Sequence, residues 1–408
     1  MKKPICSLLF LIMLAGLGGC SGPLPCAGIS APNLTCLSSF EEGVLFETTG
    51  QSGGNKFKVL VLNGTWQEMG RQYGYLVLDE LNEFYDLVVT DHLMNTQGLA
   101  YAEILESAQQ LYDQRYDYQK ELVAGLAQVP TLSLEKAMII SSLIDLVEPE
   151  AGCSSMAAWG EYTADRPLVV GRNWDLAPPF GEFKKYMSVV VYNPQDGVTS
   201  LADINFLGTI SLQTGINSHG IFLDVQNGSH SDPTPPIEDR RYPTYVLGDV
   251  LLNSQNIEEL DAQMMSEANL PKLAAIINVA EPSEDLVYEW ATYDVKQRTA
   301  QGLIASSNHF VNPDWTDLPV VEPGAAGDYS LERLANLLAL GEEYKGSIDA
   351  TVMQQIFDTS FDDGGPTFSE YTVYQVVARP AGKTIWLKTP GLSGWEIIEL
   401  ESLFAVSP

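Results

Sequence analysis

The amino-acid sequence predicts a layered α+β fold in which helices cover antiparallel sheets. Helical periodicity dominates the chain ahead of Cys153, short strands dominate it afterwards, and helix-period segments interrupt those strands. At the start, residues 58–62 read as a strand, Asn63-Gly64 as a turn and Thr65 as the N-cap of a helix beginning at Trp66. Apolar residues at three-and-four spacing over 103–126 and 133–146 predict further helices. Residues 153–160 and 168–175 then read as two strands of a hairpin turning near Thr163 and Ala164, which sets Cys153 opposite Trp174. Further strands are expected at 187–192, 201–205, 208–214, 220–226, 286–293 and 303–306, and helices at 244–252, 257–267 and 330–340. The chain ends on strands at 372–378, 384–388 and 395–400, and no internal repeat is visible.

Residues 1–19 read as a targeting segment, with Lys2 and Lys3 ahead of a short apolar run and Leu17-Gly18-Gly19 ahead of Cys20. This pattern resembles a bacterial lipobox, so Cys20 is the expected lipidation site and membrane anchor; an ordinary secretory signal is the alternative. Residues 20–54, rich in Ser, Gly, Pro and Thr, are expected to form a tether and irregular lead-in. Cys26 and Cys36 can pair in an oxidising compartment, which leaves Cys153 as the remaining thiol. A formal charge of −31 argues against nucleic acid or an anionic surface as partner.

Several chemistries fail on inspection. The nearest approach to a Gly-x-Ser-x-Gly elbow, Gly391 to Trp395, lacks its last glycine. The four histidines, His92, His219, His230 and His309, form no metal-binding pattern. Asp358 to Glu370 resembles a calcium loop with Gly364 and Glu370 one position late, and reads as a solvated acidic loop. One chemistry needs no histidine. If the chain is cut between Gly152 and Cys153, the new α-amine, with an ordinary pKa of about 8, can act as base for its own thiol. The bland alternative for Cys153 is a buried structural cysteine.

Gly152-Cys153-Ser154-Ser155, Ala158-Trp159-Gly160 and Gly171-Arg172-Asn173-Trp174-Asp175 resemble the nucleophile hairpin of N-terminal nucleophile (Ntn) hydrolases acting on linear amides. That group includes choloylglycine hydrolases, penicillin V acylases and acyl-coenzyme A:6-aminopenicillanate acyltransferases. The resemblance continues through Gly215 to Ile221, Ser307-Asn308-His309-Phe310, and Gly327-Asp328-Tyr329-Ser330 with Arg333. It implies a four-layer αββα sandwich, with 55–152 as a mainly helical prosegment and 153–408 as the catalytic core. It also implies roles. Cys153 is the nucleophile, Arg172 favours its thiolate, Asp175 orients the α-amine, Asn308 addresses the substrate carbonyl, and Arg333 supports the nucleophile. The second oxyanion residue is Asn227, with Gln226 the other choice. The implied activity is hydrolysis of an N-acyl amide by a protein needing no cofactor and no metal, anchored to the membrane by lipid. Acyl transfer to an amine and a non-catalytic binding lipoprotein are the alternatives. Trp159, Trp174, Phe180, Phe206 and Phe310 are candidate walls of an acyl pocket.

Overall fold

The computed structural model of the chain describes residues 29, 31–50, 53–147, 151–164, 167–324 and 329–404. The targeting segment, Cys20, Cys26 and Gly327-Asp328 lie outside them. The chain opens with β1 (Leu34–Phe40), β2 (Gly43–Thr48) and β3 (Lys58–Gly64). Six helices follow: α1 (Trp66–Leu76), α2 (Leu78–Tyr85), α3 (Tyr101–Asp113), α4 (Asp117–Leu126), α5 (Leu134–Ser141) and α6 (Leu143–Val147). Helix α1 starts where predicted because Thr65 and Glu68 form a reciprocal capping box, satisfying two backbone N–H groups that the first turn leaves unpaired.

Next come β4 (Ala151–Ala158), β5 (Val169–Leu176), the short α7 (Phe180–Phe183), β6 (Met187–Pro194), β7 (Leu201–Phe206), β8 (Thr214–Asn217) and β9 (Phe222–Asn227). After α8 (Pro243–Leu252) and α9 (Ile257–Met264) the chain forms β10 (Ala275–Ala280), β11 (Asp285–Trp290), β12 (Val295–Arg298) and β13 (Leu303–Ser306). It closes with α10 (Ser330–Glu343), α11 (Ala350–Asp358), β14 (Thr372–Arg379), β15 (Thr384–Lys388) and β16 (Glu396–Glu399).

These strands form two sheets, ordered β1-β2-β3-β6-β7-β8-β9-β10-β11-β12 and β13-β4-β5-β14-β15-β16. Every pairing is antiparallel except β3 with β6. The sheets face each other where β4 meets β9; α1 and α8 lie against the larger sheet, and α10 and α11 against the smaller. The result is a four-layer αββα sandwich. Among the described residues no helix is long and apolar enough to cross a membrane.

Residues ahead of Cys153 are built into this sandwich. Strand β3 pairs with β6 inside the larger sheet, Gly208 N–H donates to Tyr73 Oη at 2.7 Å, and the buried Arg115 donates to Ser141 O at 2.6 Å and to Ile210 O. The expectation of an irregular lead-in over 20–54 is corrected from Leu34 onward, where β1 and β2 extend the sheet. Strand β1 tolerates Thr35, Ser38 and Ser39 because it is an edge strand with no fully buried residue, while Val44, Leu45 and Phe46 of β2 carry the burial. Cys36 is disulfide-bonded and Cys153 is a free thiol.

Three other differences have local causes. The helix expected over 103–126 breaks at Gln114, where Arg115 turns inward to its carbonyl partners. The strand expected over 208–214 is irregular until Thr214, because its N–H groups serve other segments: Ile210 to Ser141 O and Leu212 to Thr244 O. Strand β10 reads as a plain apolar run because both of its faces are buried, so it lacks the alternation that marks half-exposed strands.

Helices α1 and α4 touch backbone to backbone. A Cβ on Gly70 would lie 2.1 Å from Leu122 O, and one on Gly125 would lie 2.2 Å from Gln67 O. Gly70→Ala is therefore expected to force the helices apart and lower stability by about 1–3 kcal/mol despite the better helix propensity of alanine. The urea midpoint against wild type measures it, and an unchanged or raised midpoint contradicts the packing argument.

Candidate active site

The β4–β5 hairpin has the register expected of it: Cys153 pairs with Trp174, Ser155 with Arg172 and Gly152 with Asp175. Alternation then divides the hairpin between two faces. Cys153, Ala157, Val170 and Trp174 enter the core between the sheets, whereas Met156, Ala158 and Val169 pack with Met353 and Phe357 of α11. Arg172 shares the inter-sheet face with Cys153. Asp175 lies on the other face, where α10 delivers Arg333.

Arg172 is fully buried, and its Nη2 lies 3.8 Å from Cys153 Sγ. The same guanidinium donates to Val225 O at 2.7 Å, to Gln213 O and to Thr214 Oγ1, so it reaches from β5 across to the larger sheet. Tyr374 covers it, with the ring centroid 5.8 Å away. Burial nevertheless pushes the Cys153 thiol above its ordinary pKa; Arg172 pulls in the opposite direction without overcoming it. The expected bias toward thiolate is present as a force, but not as the net result in the uncut chain.

The second cluster surrounds the Cys153 backbone nitrogen. Its N–H donates to Asn308 Oδ1 at 2.6 Å, and Arg333 Nη2 donates to the same oxygen at 2.8 Å. Arg333 Nη1 lies 3.2 Å from Asp175 Oδ2, and Thr372 Oγ1 donates to Asp175 Oδ1 at 2.6 Å. Asp175, Arg333 and Asn308 are all buried. Asp175 thus acts on the nitrogen through Arg333 and Asn308, with Asn308 Oδ1 in the accepting position that the sequence reading assigned to Asp175.

Asn308 also ties down the oxyanion candidate, since its Nδ2 donates to Asn227 O at 3.0 Å. The Asn227 side chain is exposed at the end of β9, and its Oδ1 accepts Ser229 N–H at 2.8 Å. Gln226 is buried, and its Nε2 donates to Ser306 Oγ at 2.8 Å. Both residues line one cavity of about 320 Å³ together with Cys153 and Trp174. Its apolar wall comes from Ile144, Val225, Leu273, Ala274 and Ala275, with Pro236 and Pro243. Of the aromatics proposed for such a wall, Trp174 lines the cavity. Phe206 packs behind Trp174 at 5.5 Å, with Phe180 against Phe206, and Phe310 stacks on Trp315.

The sequence reading missed a polar chain between the sheets. Ser155 Oγ and Asn278 Nδ2 donate to the two oxygens of buried Asp224 at 2.8 and 2.9 Å, and Ser306 Oγ donates to Asn278 Oδ1 at 2.7 Å. Burial raises the Asp224 carboxyl pKa, against the pull of Arg172 and these hydrogen bonds. A lone acid inside Phe222-Leu223-Asp224-Val225 is the signal that points to it. Ile144 and Asp145 of the preceding segment also line the cavity, and no local motif marks them. His309 is buried against Ser330 Oγ at 2.7 Å, and the described residues contain no cluster fit to hold a metal ion. Asp358, in the acidic loop, is paired with Lys388 at 2.5 Å and with Trp395 Nε1 at 3.0 Å.

Arg172→Ala is expected to shift the pH profile of Cys153 alkylation further upward, so that labelling falls most near neutral pH and recovers in base. Iodoacetamide rates across pH measure this, with Arg172→Lys retaining part of the effect. Equal slowing at every pH would show a change of access instead of charge.

No protein-family profile matches the chain, and no curated protein matches it. Among solved structures it is similar to a Caenorhabditis elegans orthologue of N-acylethanolamine-hydrolyzing acid amidase, at 16% identity over 56% of this chain and 93% of that one, with a TM-score of 0.40. It is also similar to a conjugated bile acid hydrolase from Clostridium perfringens, at 12% identity over 62% and 95% of the two chains, with a TM-score of 0.42. A penicillin V acylase from Agrobacterium tumefaciens matches at 12% identity over 62% and 88%, with a TM-score of 0.41. These are distant likenesses.

Proposed function

We propose that the chain is an exported cysteine amidohydrolase that cuts itself between Gly152 and Cys153 and then hydrolyses linear amide bonds of N-acyl compounds. The observation that supports this most is the position of Cys153. Its thiol lines a largely apolar cavity beside a fixed guanidinium, while its nitrogen sits in a separate buried cluster of Asn308, Arg333 and Asp175. One residue thus holds a nucleophile on one face and, once freed, a base oriented from the other.

In maturation the thiol attacks the Gly152 carbonyl carbon and the carbon–nitrogen bond breaks. The thiol proton passes to the nitrogen, which becomes the α-amine, and water hydrolyses the thioester to a Gly152 carboxylate. In turnover the amine takes the thiol proton and sulfur attacks the substrate carbonyl. Asn227 Nδ2, which has no partner among the described residues, faces the resulting oxyanion. The proton is passed to the leaving amine, and water releases the acid from the acyl-enzyme. Asn308 Oδ1 keeps the α-amine directed toward this chemistry, with Arg333 and Asp175 holding Asn308. The apolar wall suits a hydrophobic acyl group.

Denaturing electrophoresis is expected to show two fragments, with Cys153 at the new N-terminus, and Cys153→Ala to stay whole and inactive. The fragments should remain together under native conditions, because β3 is paired within the sheet and Ile144 lines the cavity. Activity from an uncut chain overturns the self-base mechanism. Asn308→Ala in cleaved protein is expected to lower kcat by about a hundredfold or more. Across acyl amides of rising length, specificity should gain about 1 kcal/mol per buried methylene until the cavity is full. A flat response to acyl length contradicts the acyl assignment, and efficient formation of a new amide from added amine favours acyl transfer. Export with lipid at Cys20 is part of this proposal; Cys20→Ser should abolish the lipid mass and release the protein from membranes.

A further inference from the structure

On the opposite face of the larger sheet from Cys153, a second recess lies under α1, α4 and α8. Its inner part, about 30 Å³, is bordered by Trp66, Tyr118, Tyr192, Asp203, Ser211 and Gly248. Its outer part, about 520 Å³, is bordered by Trp66 and Tyr118 again, together with Asp117, Glu121 and Asp196. Trp66 and Tyr118 border both spaces, with ring centroids 4.8 Å apart, and Tyr192 lies 6.2 Å from Trp66. The indole Nε1 of Trp66 donates to Asp196 Oδ2 at 2.7 Å, so one carboxylate of the outer part is attached to the aromatic wall itself.

Asp203 is the unusual member of this group. It is 5% exposed, its Oδ1 has no hydrogen-bond partner, and among the described residues no Lys or Arg pairs with it. Ser211 Oγ, bordering the same inner space, is likewise without a partner. The titratable groups that feel the Asp203 charge are tyrosines: Tyr73 on α1, Tyr118 on α4, Tyr192 on β6 and Tyr374 on β14. Burial holds the Asp203 carboxyl well above the usual carboxylate range. A buried carboxyl whose Oδ1 has no hydrogen-bond partner, bordered by three aromatic rings, favours its neutral form while the space is empty and its ionised form once an ammonium is brought against it. It is well placed for a cation, which aromatic faces and a carboxylate both attract. The inner space has room for a small polar head such as a water molecule or an ammonium group, since about 10–15 Å³ of such space is enough for one water.

We propose that this recess binds a linear aliphatic diamine or polyamine, with one ammonium group against Asp203 under Trp66, Tyr118 and Tyr192 and the others among Asp117, Glu121 and Asp196. The aromatic pair at the junction covers the methylene chain, and the outer carboxylates select for a second positive charge. Inner and outer parts together require a ligand that is narrow at its tip, flexible, and cationic at more than one point. The site is separate from the amide-hydrolysis reading, and neither depends on the other.

Isothermal titration calorimetry of the full chain with spermidine, putrescine and butylamine tests this at an ionic strength that screens loose binding to an acidic surface. Saturable binding of about one equivalent is expected for spermidine and putrescine, with butylamine at least tenfold weaker for want of a second charge. Asp203→Asn should weaken spermidine at least tenfold. Glu121→Gln with Asp196→Asn, both on exposed side chains, should weaken spermidine more than butylamine. Glu258→Gln, on an exposed turn of α9, should have no effect. Trp66→Phe should abolish the amine-induced change in tryptophan fluorescence, and circular dichroism checks that each variant is folded. No saturable binding overturns the proposal, as does equal binding by folded Asp203→Asn, which would leave the inner space to a buried water. Equal losses on Glu258→Gln and the outer variants also overturn it, since that is the behaviour of surface counterions.

Discussion

The buried guanidinium of Arg172 is the constraint around which the two sheets are aligned. It leaves β5, crosses the inter-sheet space and spends its donors on Gln213 O, Thr214 Oγ1 and Val225 O, with the Cys153 sulfur beside it. Removing a cation from water costs several kcal/mol even after relaxation, and here both Nη groups find acceptors while the buried Nε has no hydrogen-bond partner. Two backbone carbonyls and the Thr214 hydroxyl accept from it, and the buried Asp224 carboxyl favours its charge. The position of β5 against the 213–225 segment is therefore tied to this burial, because a one-residue slip of β5 would turn Arg172 to the other face of its sheet.

A second set of interactions works from the other side of the same hairpin. Asp175 grips Arg333, Arg333 and the Cys153 N–H share Asn308 Oδ1, and Asn308 Nδ2 holds the end of β9 through Asn227 O. The nitrogen of Cys153 is consequently oriented by groups from β5, α10 and the 307–310 segment, while its sulfur is governed by Arg172. Between them, the Asp224 chain links β4, β9, β10 and β13, so movement of one sheet past the other would break several buried hydrogen bonds together.

The segment ahead of Cys153 belongs to this machinery as much as the segment behind it. Strands β1 to β3 extend the larger sheet, Arg115 and Tyr73 bond to the 208–210 turn, and Ile144 and Asp145 border the Cys153 cavity. A break at Gly152 would divide the chain without dividing the fold. The outer helices create the second recess on the far face of the same sheet, where Asp203 points away from the Cys153 side.

Features that depend on neighbours in the chain were legible in the amino-acid order. The Thr65–Glu68 cap, the pairing of Cys153 with Trp174, and the strands 303–306 and 384–388 follow from hydrogen bonds and side-chain alternation within a few residues. Arg172, Asp175, Asn308 and Arg333 were visible as an ordered set of motifs. Which face each one serves was not. Asp175 reaching Cys153 through Arg333 and Asn308, Asn227 exposed beside a buried Gln226, and a mostly aliphatic cavity wall that keeps Trp174 alone of the expected aromatics all depend on segments distant in sequence meeting in one register. The sequence by itself determined the strand hairpin, the helix starts and the candidacy of Cys153 as the remaining thiol, because those are written in local periodicity and residue chemistry. Only the tertiary structure decided the direction of each polar group and the net upward shift of the thiol, because burial and inter-sheet contact arise when the layers close.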